Sequence, residues 1–199
     1  MKLFTKRFYR NFKHIKSEFV GKPINYLEIG VFLGYTAEWM IDNVLTHTDA
    51  RYYGIDPWEW FRPLHRRFPT WEDFKVKMLD NADRMREQYK GKGEFIRGYS
   101  QDVLMEPRWK KSSLDLIYID GHHSMHAVLR DWVLTWPLLK VNGVMIFDDY
   151  LQAHNDGVTL ACDAILKALG HRDKGNRRRK TKIELLWKNY ALGIRKLSE

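Results

Sequence analysis

The residues best suited to chemistry follow two apolar runs in the second half of the chain. The first run ends in Asp120, and the second ends in the pair Asp148 and Asp149. Because the carboxyl ends of neighbouring parallel strands meet at one edge of a sheet, we expect these three carboxylates to converge. Carboxylates placed so closely repel one another unless a cation lies between them. The pattern therefore predicts that Asp120, Asp148 and Asp149 bind a divalent cation, Mg²⁺ or Mn²⁺.

Such a cation would hold a substrate hydroxyl and lower its pKa, which prepares an oxygen nucleophile. Two histidines, His122 and His123, follow Asp120 closely. A histidine can take a hydroxyl proton near neutral pH. A structural alternative stays open, in which Asp120 only caps the next helix, the paired aspartates end a strand in a solvated turn, and the histidines pack or face solvent.

A second group of candidate residues follows the first apolar run of the chain. Glu28 precedes Gly30 there, and Gly34 and Thr36 open the next helical pattern. Glycine lets a ligand approach the backbone closely, and the free N–H groups at a helix start favour an anionic group. The spacing Gly-x-x-x-Gly differs from the dinucleotide fingerprint Gly-x-Gly-x-x-Gly, which disfavours a nicotinamide-dependent oxidoreductase. The alternative is a tight strand–helix turn without chemical meaning.

The next two candidate strands also end in polar residues. Asp56 ends the second strand, where a carboxylate can accept hydrogen bonds from both hydroxyls of a ribose. Ser100, Gln101 and Asp102 follow the third strand, and we expect them to border an adenine. The order along the chain is therefore a glycine turn, an acid, a polar turn and a further acid at Asp120.

This order strongly resembles the class I S-adenosylmethionine (SAM)-dependent methyltransferases. The stretch Gly98-Tyr-Ser-Gln-Asp102 is similar to the adenine-side turn of catechol O-methyltransferases. Over residues 25–196, the pairing of Ile119-Asp-Gly-x-His123 with Asp148-Asp-Tyr150 resembles a narrower group. That group is the metal-dependent sugar O-methyltransferases of macrolide and aminocoumarin antibiotic biosynthesis.

The resemblance implies transfer of a methyl group from SAM to a hydroxyl of a small molecule, with a sugar or glycoside as the favoured acceptor. The residues implied to bind SAM are Glu28, Gly30, Gly34, Thr36, Asp56, Ser100, Gln101 and Asp120. By position, Asp120, Asp148 and Asp149 match metal ligands. His122 stands where some relatives carry an aspartate as general base, so the predicted catalytic residues are His122 and Asp120. His123 matches a histidine of the motif to which the resemblance assigns no role.

The elements that must position these residues alternate between short apolar runs and helical patterns, which predicts an α/β domain with a mainly parallel sheet. The five expected parallel strands are Ile24–Ile29, Arg51–Asp56, Glu94–Gly98, Leu114–Asp120 and Gly143–Asp148. Helices are expected at 34–46, 124–139 and 157–169, with Ser124 capping the second and Gly170 ending the third. Two strands flanking Asn189 predict a final antiparallel hairpin. Together these elements give the Rossmann-like, seven-stranded sheet of class I methyltransferases.

Two further segments carry aromatic residues. Residues 57–93 are too long for a simple connection and are expected to cover the acceptor side of the site. Within them Thr70 and Asp73 predict a helix start, while Trp58 and Trp60 lie outside the helical spacing and are the candidates for substrate contact.

In residues 1–20, aromatic and aliphatic side chains recur at helical spacing, namely Phe4, Phe8, Phe12, Ile15 and Phe19. This segment is either a helix packed on the domain, or a lid or a surface for an acidic partner or a membrane.

Composition narrows the function classes further. The 199 residues fit one domain and carry a net charge of +9, with six basic residues in 1–16 and seven in 171–182. RNA binding would depend on these two segments, because the rest of the chain is slightly acidic. An RNA-modifying methyltransferase and a non-catalytic SAM-binding protein are therefore the alternatives, and the cluster of aspartates argues against both.

The remaining expectations concern location and assembly. Cys162 is the only cysteine, which excludes an intramolecular disulfide and a cysteine-based zinc site and suits a reducing cytoplasm. No apolar run reaches the ~20 residues that span a bilayer. The sequence leaves open whether the protein forms a homo-oligomer.

Overall fold

The apolar runs of the sequence form one seven-stranded sheet in the computed structural model, which describes residues 12–13, 15–59, 70–151, 156–170 and 182–199. In chain order the strands are β1 Asn25–Ile29, β2 Arg51–Asp56, β3 Gly93–Arg97, β4 Leu114–Ile119, β5 Leu139–Phe147, β6 Ile183–Lys188 and β7 Leu192–Lys196. Their order across the sheet is β3-β2-β1-β4-β5-β7-β6. The first five are parallel, and β7 runs antiparallel to both β5 and β6. The predicted fold is confirmed.

The strand order reverses beside β1, because the chain builds outward to β3 and then returns to place β4 on the other side of β1. Such a reversal leaves a crevice at the carboxyl ends of the two central strands, where ligands of open α/β sheets bind. The residues that follow β1 and β4 border this crevice. The topology alone therefore brings the glycine turn and Asp120 to the same place.

The helices cover both faces of the sheet, and alternate strand residues bury their side chains against one layer or the other. They are α1 Tyr35–Asn43, α2 Trp71–Gln88, α3 Ser100–Val103, α4 Met125–Thr135 and α5 Asp156–Ala168. Thr70 caps α2 as predicted, since its hydroxyl accepts the Asp73 N–H at 3.1 Å. Gly170 follows α5 with φ 79°, a left-handed conformation that glycine adopts readily.

The predicted boundaries differ most from the structure around α4 and β5. Ser124 is the residue before α4, but its side chain makes no capping hydrogen bond and lies 3.4 Å from the His126 ring nitrogen instead. Helix α4 ends at Thr135, because Pro137 turns the chain through a short 3₁₀ helix. Strand β5 therefore begins at Leu139, earlier than the predicted start at Gly143.

The described part of the N-terminal segment packs on the domain. Residues 15–19 are helical, and Phe12 is fully buried against the rings of Tyr26, Trp39 and Tyr118. Glu18 pairs with both terminal nitrogens of Arg195 in β7 at 2.7 and 2.9 Å. Phe4 and Phe8 lie outside the described residues. No helix in the described part of the chain is both long and apolar enough to cross a membrane.

We expect Phe12→Ala to lower the free energy of unfolding by about 3–5 kcal/mol, because the substitution leaves a cavity between three aromatic rings. Urea denaturation measures the loss. Lys13→Ala is the matched control, since Lys13 is the exposed neighbour of Phe12 and its removal should change stability by less than about 0.5 kcal/mol. Equal stability of the two variants would show that this segment contributes nothing to the core.

Candidate active site

The turn after β1 and the end of β4 approach each other at backbone distance. Gly30 has φ 92°, and a Cβ atom placed on it would overlap the carbonyl group of Asp120. Gly34, with φ 80°, lies against the Met85 side chain of α2, where a Cβ atom would also overlap. Gly30 is therefore required by its close approach to backbone as well as by its left-handed conformation, whereas Gly34 is favoured mainly by its left-handed conformation, because the end of the Met85 side chain can shift.

Glu28 lies beneath this turn on β1 and is fully buried. Its carboxylate accepts a hydrogen bond from the Tyr52 hydroxyl at 2.8 Å. Burial raises the pKa of Glu28 well above its usual range, even though the hydroxyls of Tyr52 and Thr36 oppose this shift. The structure thus places Glu28 and Thr36 inside the protein, where they support the turn, and direct contact of either with a cofactor stays a prediction.

Asp56 links the glycine turn to the chain that leaves β2. Its carboxylate accepts the backbone N–H of Phe32 at 2.8 Å and that of Trp58 at 2.6 Å. Burial raises the pKa of Asp56 despite these hydrogen bonds. Phe32 and Trp58 both have positive φ, at 54° and 48°, and such strained backbone often accompanies functional sites.

Trp58 is 1% exposed, and its indole N–H donates to the Phe32 carbonyl at 3.0 Å. The Arg86 guanidinium lies 5.0 Å from the centre of its ring. This buried position contradicts the prediction that Trp58 contacts a substrate, because the ring instead fills the space between the glycine turn and α2. Trp60, the other candidate, lies outside the described residues.

The turn after β3 forms the short helix α3. The Gln101 side-chain oxygen is buried and has no hydrogen-bond partner within the part of the chain that the structure describes. A buried acceptor without a partner costs about 1–3 kcal/mol, so this oxygen is suited to receive a donor such as an adenine amino group. The Ser100 hydroxyl is already engaged, because it donates to the Asp131 carboxylate at 2.6 Å. Asp102 is exposed.

Asp120, His123 and Asp149 form a cluster where β4 and β5 end. The His123 Nε2 atom lies 3.6 Å from an Asp120 oxygen and 3.5 Å from an Asp149 oxygen. Each of the three residues offers one ligand atom, and these atoms lie within 4.8 Å of one another. Asp149 has φ 57° and is therefore a further residue with strained backbone at this edge of the sheet. The arrangement could hold a metal ion.

The protonation of Asp120 reflects this crowding. Burial raises the pKa of Asp120 to about 8; the charges of Asp148 and Asp149 add to the shift, and His123 opposes it. A cation bound to the cluster would displace the proton. Two carboxylates and an imidazole suit Mn²⁺ as well as Mg²⁺, since imidazole is a common ligand of transition metals.

Asp148 lies beside the cluster and is buried, at 8% exposure. Burial raises the pKa of the neighbouring Tyr118 phenol well above its usual range, and the negative charges of Asp148 and Asp120 add to this shift. The structure therefore brings Asp120 and Asp149 together with His123, while Asp148 borders them from the side of Tyr118.

His122 is exposed. Its Nδ1 atom accepts the Ser124 backbone N–H at 3.1 Å, so the proton of the neutral ring is assigned to Nε2. His122 could take a further proton only after releasing Ser124, and its role as the general base stays a prediction. The sequence reasoning assigned no role to His123.

Sequence reasoning also missed Asp131 of α4, which is 2% exposed. The signal was present in the spacing, because Asp131 shares the buried face of its helix with Ala127, Val128 and Thr135. A charged residue on an otherwise apolar helix face usually has a partner there.

Two sequence comparisons relate this chain to known proteins. A family model described as a methyltransferase domain matches residues 27–150. The uncharacterized protein R132 of Acanthamoeba polyphaga mimivirus is 24% identical over 153 residues, which cover 74% of this chain and 62% of that protein. The chain therefore spans less than two thirds of the length of this curated relative.

Two solved structures share the fold. The O-methyltransferase NovP superposes with a TM-score of 0.64 at 15% identity, covering 97% of this chain and 79% of that one. The O-methyltransferase from Bacillus cereus in complex with SAH gives a TM-score of 0.62 at 13% identity, covering 96% and 81%. Identities this low show the common fold and leave the acceptor undetermined.

Proposed function

Because this chain belongs to the methyltransferase domain family, we propose that it is a SAM-dependent methyltransferase that methylates a hydroxyl oxygen of a small molecule with the help of a divalent metal. The observation that carries the proposal is the cluster of Asp120, His123 and Asp149 beside the glycine turn. The overlap that a Cβ atom on Gly30 would make with Asp120 shows how close the two lie. A methyl donor in the turn and an acceptor at the cluster would therefore meet.

SAM supplies the methyl group, and the residues after β1, β2 and β3 would bind it. We assign the Gln101 oxygen to the adenine amino group, since this buried acceptor otherwise has no partner among the described residues. We assign Asp56 to the ribose hydroxyls. Its two oxygens already accept two backbone N–H groups, but a carboxylate has about four lone-pair sites, so it can accept further hydrogen bonds.

Asp120, His123 and Asp149 would hold Mg²⁺ or Mn²⁺, with Asp148 adjacent to them. When bound, the ion supplies Lewis acidity that lowers the pKa of a hydroxyl. The residues of the chain orient the acceptor oxygen and receive its proton, and we retain His122 and Asp120 as the proposed catalytic residues. For His122 this requires release of the Ser124 N–H.

A sugar or a glycoside is the acceptor that we favour. Support for a sugar comes from the motif pair around Asp120 and Asp148. The two structural neighbours, which are both described as O-methyltransferases, support methylation of an oxygen. An RNA acceptor is disfavoured because the carboxylate cluster would repel phosphates unless a metal ion occupied it. The basic segments 1–16 and 171–182, which an RNA would need, lie largely outside the described residues.

Isothermal titration with SAM tests the cofactor site. We expect Gln101→Leu to weaken SAM binding by up to about tenfold, because one neutral hydrogen bond contributes about 0.5–1.5 kcal/mol. Gln88→Leu is the matched control, as Gln88 is exposed at the end of α2 and should leave the affinity unchanged. Absence of SAM binding by the unmodified protein at millimolar ligand would overturn the proposed function.

Methyl-labelled SAM tests the acceptor class. Incubation with glycosides, and separately with RNA, should label only the glycoside fraction and only when Mg²⁺ or Mn²⁺ is present. Metal-independent labelling of RNA would replace the small-molecule proposal with the RNA-modifying alternative.

A further inference from the structure

Asp131 is a buried charged residue that the proposed reaction does not use. Its carboxylate accepts the Ser100 hydroxyl at 2.6 Å, across 31 residues of sequence. It also lies near Gly121, since a Cβ atom on that glycine would be 3.6 Å from an Asp131 oxygen. Asp131 therefore touches both the turn after β3 and the loop after β4.

We propose that Asp131 is a positioning residue for cofactor binding, which holds Gln101 in place through Ser100. This inference rests on the proposed function, because it takes Gln101 to be the acceptor for the adenine amino group. Ser100 is the first residue of α3 and Gln101 is the second. Fixing the Ser100 side chain against α4 therefore fixes the start of the short helix that carries Gln101.

The chemistry of the position supports a role beyond packing. Burial raises the pKa of Asp131, while the Ser100 hydroxyl and the Arg130 guanidinium, 3.7 Å away, oppose that shift. Keeping a carboxylate in a buried place is unfavourable unless hydrogen bonds compensate. A leucine would fill the apolar face of α4 without this penalty. The carboxylate is therefore explained by its polar partners, of which Ser100 forms the hydrogen bond, rather than by the stability of the helix.

Helix α3 has only four residues, so it depends on contacts outside itself for a fixed position. Its buried face consists of Ser100 and Val103, and the Trp109 indole donates to the Val103 carbonyl at 2.7 Å. The bond to Asp131 is the polar contact at the other end of the helix. Without it, we expect the first turn of α3 to shift and Gln101 to lose its alignment with adenine.

The test compares two substitutions of Asp131 by isothermal titration with SAM. We expect Asp131→Leu to raise the Kd for SAM about tenfold or more, whereas Asp131→Asn keeps an acceptor oxygen for Ser100 and should stay within about threefold. Thr135→Val is the control, because Thr135 is buried on the same helix face and its hydroxyl donates to the backbone carbonyls of Asp131 and Trp132. It should alter the melting temperature without changing the Kd for SAM.

A double-mutant cycle keeps the test decisive if Asp131→Leu does not fold. Ser100→Ala and Asp131→Ala should have effects on the Kd that do not multiply in the double variant, because each removes the same hydrogen bond. Multiplying effects would overturn the inference and indicate that Ser100 contacts SAM directly. Unchanged affinity in Asp131→Leu would also overturn it. Failure of the unmodified protein to bind SAM would instead refute the proposed function.

Discussion

Replacing Asp149 with asparagine is expected to lower the rate of methyl transfer by more than about a hundredfold, while the Kd for SAM stays within about twofold. The substitution removes the charge of a proposed metal ligand with almost no change in shape. Even residues that only orient metal ligands typically contribute about 10–100-fold to metal affinity or activity, so a ligand should contribute more. SAM binding is spared because its proposed contacts lie after β1, β2 and β3. Turnover at saturating Mn²⁺ and titration with SAM measure the two effects.

The adjacent histidines provide a matched pair for this prediction. His123→Ala should behave like Asp149→Asn, because His123 lies within 3.6 Å of Asp120 and 3.5 Å of Asp149. His122→Ala should lower the rate and change its pH dependence while leaving Mn²⁺ affinity nearly unchanged. Asp148→Asn tests whether Asp148 also contacts the ion. Activity that survives both chelation and Asp149→Asn would show that the cluster is structural.

The pH dependence of metal binding has a definite direction. Without a cation, the pKa of Asp120 is raised to about 8, so below that pH the carboxyl group holds a proton. A cation must displace this proton, and Mn²⁺ affinity should therefore rise as the pH increases to about 8 and then level off. In Asp120→Asn this dependence should largely disappear along with most of the affinity.

Gly30→Ala should lower the free energy of unfolding by about 4 kcal/mol or more and abolish SAM binding. A Cβ atom at this position would overlap the backbone of Asp120, which belongs to a central strand end and cannot move aside without breaking the sheet. Losses of this size are exceptional for a single substitution and require such a mechanism. Denaturation with urea measures the stability, and titration with SAM measures binding.

Gly91→Ala separates the overlap from the backbone strain. Gly91 also has positive φ, at 82°, but a Cβ atom added to it would meet no atom within 4 Å among the described residues. Gly91→Ala should therefore lower the free energy of unfolding by only roughly 1–2 kcal/mol, which is what a left-handed conformation costs an ordinary residue. If Gly30→Ala and Gly91→Ala were equally stable, close approach of the turn to Asp120 would not be the reason for Gly30.

Much of the fold could be predicted because the central strands are buried on both faces. Their sequences are continuous apolar runs, as in Leu114–Ile119, and such runs indicate parallel strands directly. The first part of β5, from Leu139 to Asn142, was missed because it is partly exposed and contains polar residues. Pro137 indicated that the helix before β5 ends there, but the helical spacing of the preceding residues favoured a longer helix.

The site was predicted less completely, since loops decide which side chains meet. Spacing identifies Asp120 and Asp149, but it does not say which of two adjacent histidines faces them. In the structure His123 lies within 3.6 Å of both, whereas the His122 Nδ1 atom accepts the Ser124 N–H. Trp58 lay outside every periodic pattern, so its burial could not be predicted from the sequence. Its left-handed backbone and its hydrogen bond to the Phe32 carbonyl explain why it is buried.

A crystal structure of the protein grown with S-adenosylhomocysteine and Mn²⁺ tests the central claim most directly. We predict adenine density next to the Gln101 oxygen and an anomalous manganese peak among Asp120, His123 and Asp149. The sulfur of the ligand should lie between the glycine turn and that peak. Ligand density away from the carboxyl ends of β1 to β4, or a well-ordered ligand without any manganese at the cluster, would contradict the account.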